Sequence, residues 1–194
     1  MNILVNCLIY GNRPYDILHQ SLERAGLPFQ VRFINIEGIA NAQNEGLIDY
    51  DKFDAIAYLS NDILEPDGWL LRKWDALKTY PQAGIVASSV QGEQTTDNQL
   101  IISNWLLSKD VIDVVGNFNE SMFPYGPIDL DYCQRAWVGG FKTYYVKGLF
   151  AEHIGSHATG NEYGWNKDEL VAKYMKQHEL DITAYNNGSK SIKM

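Results

Sequence analysis

The stretch FDAIAYLSNDILEPDGWL, Phe53 to Leu70, decides how the rest of the chain is read. Its apolar run climbs to Leu59, breaks at Ser60-Asn61-Asp62 and resumes at Ile63 and Leu64. A short apolar run without clean alternation predicts a strand buried on both faces, as in a parallel sheet. The following DGWLLRKWDALKTYP predicts a helix with Leu70, Leu71, Trp74 and Leu77 on one side. Sheets built from such strand–helix units bind ligands beyond the carboxyl ends of their strands. Asp62 stands at such an end. Two readings are open for it: a carboxylate for a hard divalent cation, which prefers oxygen ligands and keeps several waters, or a turn aspartate ahead of Glu65-Pro66-Asp67.

Outward from this stretch, the same alternation repeats. ILVNCLIY (Ile3 to Tyr10) reads as a strand closed by the turn Gly11-Asn12-Arg13-Pro14. YDILHQSLERAG carries Ile17, Leu18, Ser21, Leu22 and Ala25 at helical spacing, with Gly26 as its stop. FQVRFINI, IANAQNEGLI and AGIVASSV read as strand, short helix and strand. The expected class is α/β, a mostly parallel open sheet with helices on both faces. Further on, LIISNWLL predicts a strand, and SKDVIDVVG a helix with Ser108 as N-cap and Gly116 as C-cap. A glycine- and proline-marked loop leads to a helix from near Pro127 to Gly139-Gly140. The strands FKTYYVK and LFAEHI, a loop, the helix KDELVAKYMKQH and a tail complete the chain.

The 194 residues suit one domain. Residues 1–90 and 91–160 read as its two halves, and 161–194 as a C-terminal helix and tail. A formal charge of −8 and a pI near 4.9 argue against nucleic acid as a partner, since phosphate-backbone binding wants a basic face. An anionic ligand would need a cation or helix N-termini to offset the repulsion. Cys7 and Cys133 lie outside any metal-like spacing and read as buried, reduced thiols. No segment reads as a signal peptide or membrane span, so the expected location is the cytoplasm, with any membrane contact peripheral.

Three further groups carry candidate chemistry. In PYGPIDLDYCQRAW, Leu130, Cys133, Gln134 and Trp137 share one helical side. Asp129 and Asp131 flank that side in the first turn, where the helix dipole favours a carboxylate. Asp131 faces Arg135 one turn on, as a weak surface pair. Asp129 reads either as a general base aimed at a hydroxyl or as a dipole-favouring cap. His153 and His157 sit at and just beyond a strand end. The aromatics Trp105, Phe123, Tyr125, Tyr163 and Trp165 suit sugar rings or pin loops to the core. No GxGxxG, GxxxxGKS, GxSxG or HExxH is present.

Taken in order, these segments resemble family 2 glycosyltransferases of the GT-A fold, especially the rhamnosyltransferase-like members. LIYGNRPYDILHQSL resembles the family's first strand and helix, with its "yNRp" turn, and IANAQNEGL its "gfa.arN.Gl" segment. AYLSNDILEPDGWL resembles "ilfLNnDv.p..gwl", whose last aspartate belongs to a DXD-type metal motif. SNWLLSKDVIDVVGNFNESMFPYGPIDLDYCQRAWVGGFKTYYV resembles "g..llirr.vf..vGgFDE.ff.ygED.Dlc.Ra...Gyk...v", and AEHIGSHA resembles "v.H..g.S".

The resemblance implies an inverting, metal-dependent transfer of a sugar from a nucleotide-diphosphate donor to a glycan or lipid-linked acceptor, as in polysaccharide biosynthesis. It implies Asp62 and His153 at Mn2+ or Mg2+, Asp129 as base, and Asn12, Arg13, Asn44 and Asn61 near the nucleotide. Glu37 is the candidate to replace a missing ribose contact, and Trp105, Tyr125, Asp131 and His157 are the substrate candidates. Ser60 stands where the motif has its first acid, Ile128 where the family has Glu, and Asn119 where it has Asp. The "vvDNgS.D" stretch after the second strand is missing, as if a loop and helix had been deleted. These departures also fit a non-catalytic nucleotide- or glycan-binding relative.

Overall fold

A computed structural model of the chain describes residues 1–11, 15–90, 104–123, 125–154 and 166–177. Asn12, Arg13, His157, Tyr163, Trp165 and the polar stretch Gln91 to Gln99 lie outside the described residues. The chain runs β1 (Ile3–Leu8), α1 (Asp16–Glu23), β2 (Gln30–Ile34), α2 (Ile39–Gly46), β3 (Ala55–Ser60) and β4 (Ile63–Leu64). It continues with α3 (Trp69–Thr79), β5 (Ala83–Ser89), β6 (Trp105–Ser108), α4 (Lys109–Val115) and α5 (Ile128–Val138), then β7 (Lys142–Phe150), β8 (Glu152–His153) and α6 (Lys167–Gln177).

Six strands form one sheet in the order β2-β1-β3-β6-β5-β7. The pairs β1–β2, β1–β3 and β5–β7 are parallel, and β6 runs antiparallel to both its neighbours. All of β1 is buried, which is why its sequence shows no polar alternation. Leu4 and Leu8 of β1 join Ile56 and Tyr58 of β3 in the core under α2, α4 and α5. Ile3, Val5 and Cys7 join Ala57 and Leu59 in the core under α1 and α3. The sheet is therefore mostly parallel with helices on both faces, as expected. Both cysteines are free and buried, and burial pushes the Cys7 thiol up to about 12. No helix among the described residues is long and apolar enough to cross a membrane.

Local chemistry accounts for the element ends. The Ser108 hydroxyl accepts from the Val111 N–H at 3.1 Å, and Gly116 closes α4 with φ of 72°. One expectation needs correcting. The buried stripe of α3 is Trp69, Leu70, Lys73, Ala76 and Leu77, whereas Leu71 is 38% exposed. A lysine thus occupies the middle of an apolar face.

Only residues 35–38 separate β2 from α2. Val31 and Phe33, opposite Val5 and Cys7 in register, are left 45% and 48% exposed on this edge strand.

Trp105, expected at the substrate, is instead 1% exposed. Its ring lies 5.5 Å from Phe118 and 5.7 Å from Tyr132, and those two rings stack at 4.1 Å. As the first residue of β6 it points into the core between sheet and α5. Replacing a fully buried tryptophan with alanine should cost about 3–5 kcal/mol. Urea unfolding of Trp105→Ala checks this, and a loss below about 1 kcal/mol would mean the ring is not core.

Candidate functional site

β3 ends at Ser60, and the chain turns through Asn61 and Asp62 into β4. Asn61 is buried and spends its amide on β1's continuation. Its Nδ2 donates to the Tyr10 carbonyl at 3.1 Å, and its Oδ1 accepts from the Tyr10 N–H at 3.4 Å. Two adjacent strand ends are thereby locked, and Asp62 follows with its side chain 17% exposed.

The partner of Asp62 arrives from the far end of the chain. After β7, the chain crosses the end of β5, where the Ala151 N–H donates to the Ser89 carbonyl at 3.0 Å. It then pairs with β4 as β8, setting Ile63 opposite His153 and Leu64 opposite Glu152. The Ile154 N–H donates to the Asp62 carbonyl at 2.8 Å. This antiparallel ribbon leaves Asp62 Oδ2 only 3.3 Å from His153 Nε2, although the residues are 91 apart in sequence. The histidine side chain is 26% exposed.

Asp129 comes to the same edge of the sheet from α5. The far end of α5 meets the start of β5, with Phe141 against Gly84 and the Lys142 N–H donating to the Gln82 carbonyl at 2.8 Å. An eleven-residue helix is about 16 Å long, so its first turn lies toward the carboxyl ends of the parallel strands. Asp129, partly exposed, stands in that turn. Tyr125, just before it, packs half-buried against the core. Gly38, before α2, abuts the ring of Phe123, where a Cβ on Gly38 would come within 2.7 Å. Glu37 is exposed beside it. Asp62 and His153 are thus in contact, and Asp129, Tyr125 and Glu37 lie on stretches at the same carboxyl edge of the sheet.

Two other candidates serve architecture. Asn44 donates to the Phe118 carbonyl at 3.0 Å and accepts from the Phe118 N–H at 2.7 Å, and it also reaches Glu120 at 2.7 Å. It thus fastens the loop ahead of α5 onto α2. Asp131 is not a surface pair. Its Oδ2 takes both Nε and Nη2 of Arg135, at 3.0 and 2.7 Å, while Arg135 Nη1 reaches the Val115 carbonyl at 2.8 Å. With the Asp131 side chain only 11% exposed, this links α5 to the end of α4.

Sequence reasoning missed a buried cluster directly behind the Asp62 turn. Glu65 and Lys73 are both fully buried and pair at 2.7 Å. Asn104 and Ser88 join them. The available signal was Lys73 itself, four residues after Trp69 and four before Leu77, squarely on the apolar stripe.

Among the described residues, no group of three or more His, Cys, Asp or Glu side chains is gathered to hold a metal. Asp62 and His153 supply two donors, one carboxylate and one imidazole. Two protein donors are what a hard cation needs when substrate phosphates and water complete its shell, so the pair fits such an ion bound together with a diphosphate.

No protein-family model and no curated protein sequence matches the chain. Several solved structures share its architecture. A structure of GalNAc-T7 with UDP, GalNAc and Mn2+ aligns with a TM-score of 0.64 at 9% identity, covering 89% of this chain and 47% of that one. This chain thus spans about half the length of that protein. The Drosophila β1,4-galactosyltransferase 7 catalytic domain with xylobiose aligns at 0.60 and 15% identity, over 86% and 74%. A197 from STIV aligns at 0.58 and 12%, over 80% and 87%. At these identities the likeness establishes the fold, an α/β domain of the GT-A glycosyltransferase type.

Proposed function

We propose that the chain is a metal-dependent, inverting glycosyltransferase, related to the rhamnosyltransferase-like members of family 2. It moves a sugar from a nucleotide-diphosphate donor to a hydroxyl of a glycan or lipid-linked acceptor in the cytoplasm, with Glu37 a donor-binding and Tyr125 a sugar-binding residue, and with Asn12, Arg13 and His157 assigned to the same roles on their sequence motifs alone. The observation that carries the reading is the contact between Asp62 Oδ2 and His153 Nε2, 3.3 Å apart on the carboxyl edge of a GT-A sheet. Neighbours of this fold hold UDP or UDP-Gal with manganese, which is the ligand chemistry an Asp–His pair suits.

The divisions of labour follow from the residues. A divalent cation, when bound, supplies Lewis-acid stabilisation of the departing diphosphate. Asp62 and His153 would hold it, and the imidazole donor would favour Mn2+ over Mg2+ as the softer ion. The cation also offsets a chain charge of −8 that would otherwise repel a diphosphate. Asp129 accepts the proton of the acceptor hydroxyl as that oxygen attacks the anomeric carbon from the face opposite the diphosphate, and the bond to the diphosphate oxygen breaks. Helix α5, tied down through Asp131 and Arg135, fixes where that base stands.

A second reading has its own observation. The four-residue passage from β2 to α2 leaves little chain for base and ribose recognition, and Ser60 supplies no second acid. This favours a non-catalytic relative that binds nucleotide or glycan.

A panel of sugar nucleotides, with and without Mn2+, separates the readings when scored for thermal stabilisation, hydrolysis and transfer. Transfer or hydrolysis in the presence of Mn2+ supports the enzyme, and stabilisation without turnover supports the binding relative. Asp62→Asn should abolish the Mn2+-dependent part of the stabilisation while leaving the metal-free melting temperature within a few degrees, as expected for a rim residue. Asp129→Asn should keep donor binding and lose transfer by about 10²–10⁴-fold, the usual worth of a positioned base. Normal transfer by that variant would remove Asp129 from the role.

A further inference from the structure

The Glu65–Lys73 pair raises a question that stability does not answer. Burial pulls the Lys73 ammonium below its ordinary pKa, and the neighbouring Glu65 carboxylate opposes that shift. Buried ion pairs are weak sources of stability, since apolar residues of similar volume often serve as well or better. A leucine at position 73 would simply continue the stripe from Leu70 to Leu77. What a leucine could not do is tie the Glu65 carboxylate to the backbone carbonyl of Asn104, on a distant stretch of chain.

The hydrogen bonds show which stretches are gripped. Lys73 Nζ donates to Glu65 Oε1 at 2.7 Å and to the Asn104 carbonyl at 2.6 Å. The Ser88 hydroxyl donates to Glu65 Oε2, and Asn104 Nδ2 donates to Glu65 Oε1 at 3.2 Å. Asn104 Oδ1 accepts from the Ser60 N–H at 2.9 Å. The Glu65 N–H donates to the Ser21 hydroxyl at 3.0 Å. Residues 60 and 65 bracket Asp62, so one buried cluster holds the turn on both sides. Asn104 pays a local cost for its place there, with φ of 45°, a left-handed conformation that a short polar side chain tolerates and most residues avoid.

We infer that Glu65, Lys73 and Asn104 are positioning residues for the proposed cation site, holding the Ser60–Glu65 turn so that Asp62 stays against His153. This rests on the reading of Asp62 and His153 as cation donors. None of the three is required to touch substrate. They act through the backbone at Ser60 and Glu65.

Asn104→Gly tests the inference with little collateral change. Glycine adopts positive φ freely and retains the carbonyl that Lys73 uses, so only the side-chain amide is lost. Two readouts are taken on the folded full chain: native-state exchange of the Ile154 amide, whose acceptor is the Asp62 carbonyl, and affinity for UDP with and without Mn2+. The Ile154 amide should exchange at least about tenfold faster, while that of Val5 in the core is unmoved. The Mn2+-dependent affinity for UDP should fall about 10–100-fold, the usual effect of losing an outer-shell partner, with metal-free UDP binding unchanged. Should Asn104→Gly fail to fold, the double variant Glu65→Gln, Lys73→Met, which removes both charges at similar volume, takes the same readouts. Unchanged Ile154 exchange in a folded variant overturns the inference, as does faster exchange with undiminished Mn2+–UDP affinity. If the unsubstituted protein binds no UDP with Mn2+, the proposed function falls instead, and the exchange arm alone still decides whether the cluster holds the turn.

Discussion

Two residues of β4 paired with two residues of β8 hold the candidate site together. Without that ribbon Asp62 is a turn aspartate at one strand end, and His153 is a histidine 91 residues away in a different half of the chain. With it, the carboxylate and imidazole share one partly buried spot at the rim of the sheet. The ribbon is too short to be stable by itself. It depends on what lies behind it: Asn61 locked to Tyr10, the Ser21 hydroxyl under Glu65, and the path of β7 across the end of β5.

The same device recurs around the rim. Asparagines use both ends of their amides on the backbone of another stretch, buried Asn61 on Tyr10 and partly buried Asn44 on Phe118. A side chain that satisfies an N–H and a C=O together stands in for one rung of a sheet ladder where regular structure has stopped. Loops at the carboxyl edge must leave the sheet to form a ligand site, and their backbone groups still need partners. The arrangement gives a floor under a rim whose residues, the exposed Glu37 and the partly buried Asp62, Asp129 and His153, are spread over four stretches of chain.

Much of the architecture was readable from periodicity. The unalternating strands Ile3–Leu8 and Ala55–Ser60 announced a sheet covered on both faces, and Ser108 with Gly116 marked the limits of α4 to the residue. The pairing of Asp62 with His153 was legible only through the order of motifs, because no local signal says that β8 returns to β4. Roles of individual side chains were less legible, for a physical reason. An asparagine or tryptophan near a strand end has the same local sequence whether it faces ligand or core, and only tertiary packing separates Trp105 in its aromatic cluster from Tyr125 at the rim. Lys73 was overlooked because charge normally marks a solvent face. Its partner Glu65 lies eight residues earlier, just past the end of β4, and Asn104 thirty-one residues later.

The account stands or falls on whether Asp62 and His153 share a cation. The direct measurement is a crystal of the full chain grown with UDP and Mn2+, with anomalous scattering recorded to locate the manganese. The account predicts one anomalous peak within coordination distance of both Asp62 Oδ2 and His153 Nε2, bridged to the diphosphate. UDP bound with manganese elsewhere, or density for the nucleotide on another face of the sheet, would contradict it.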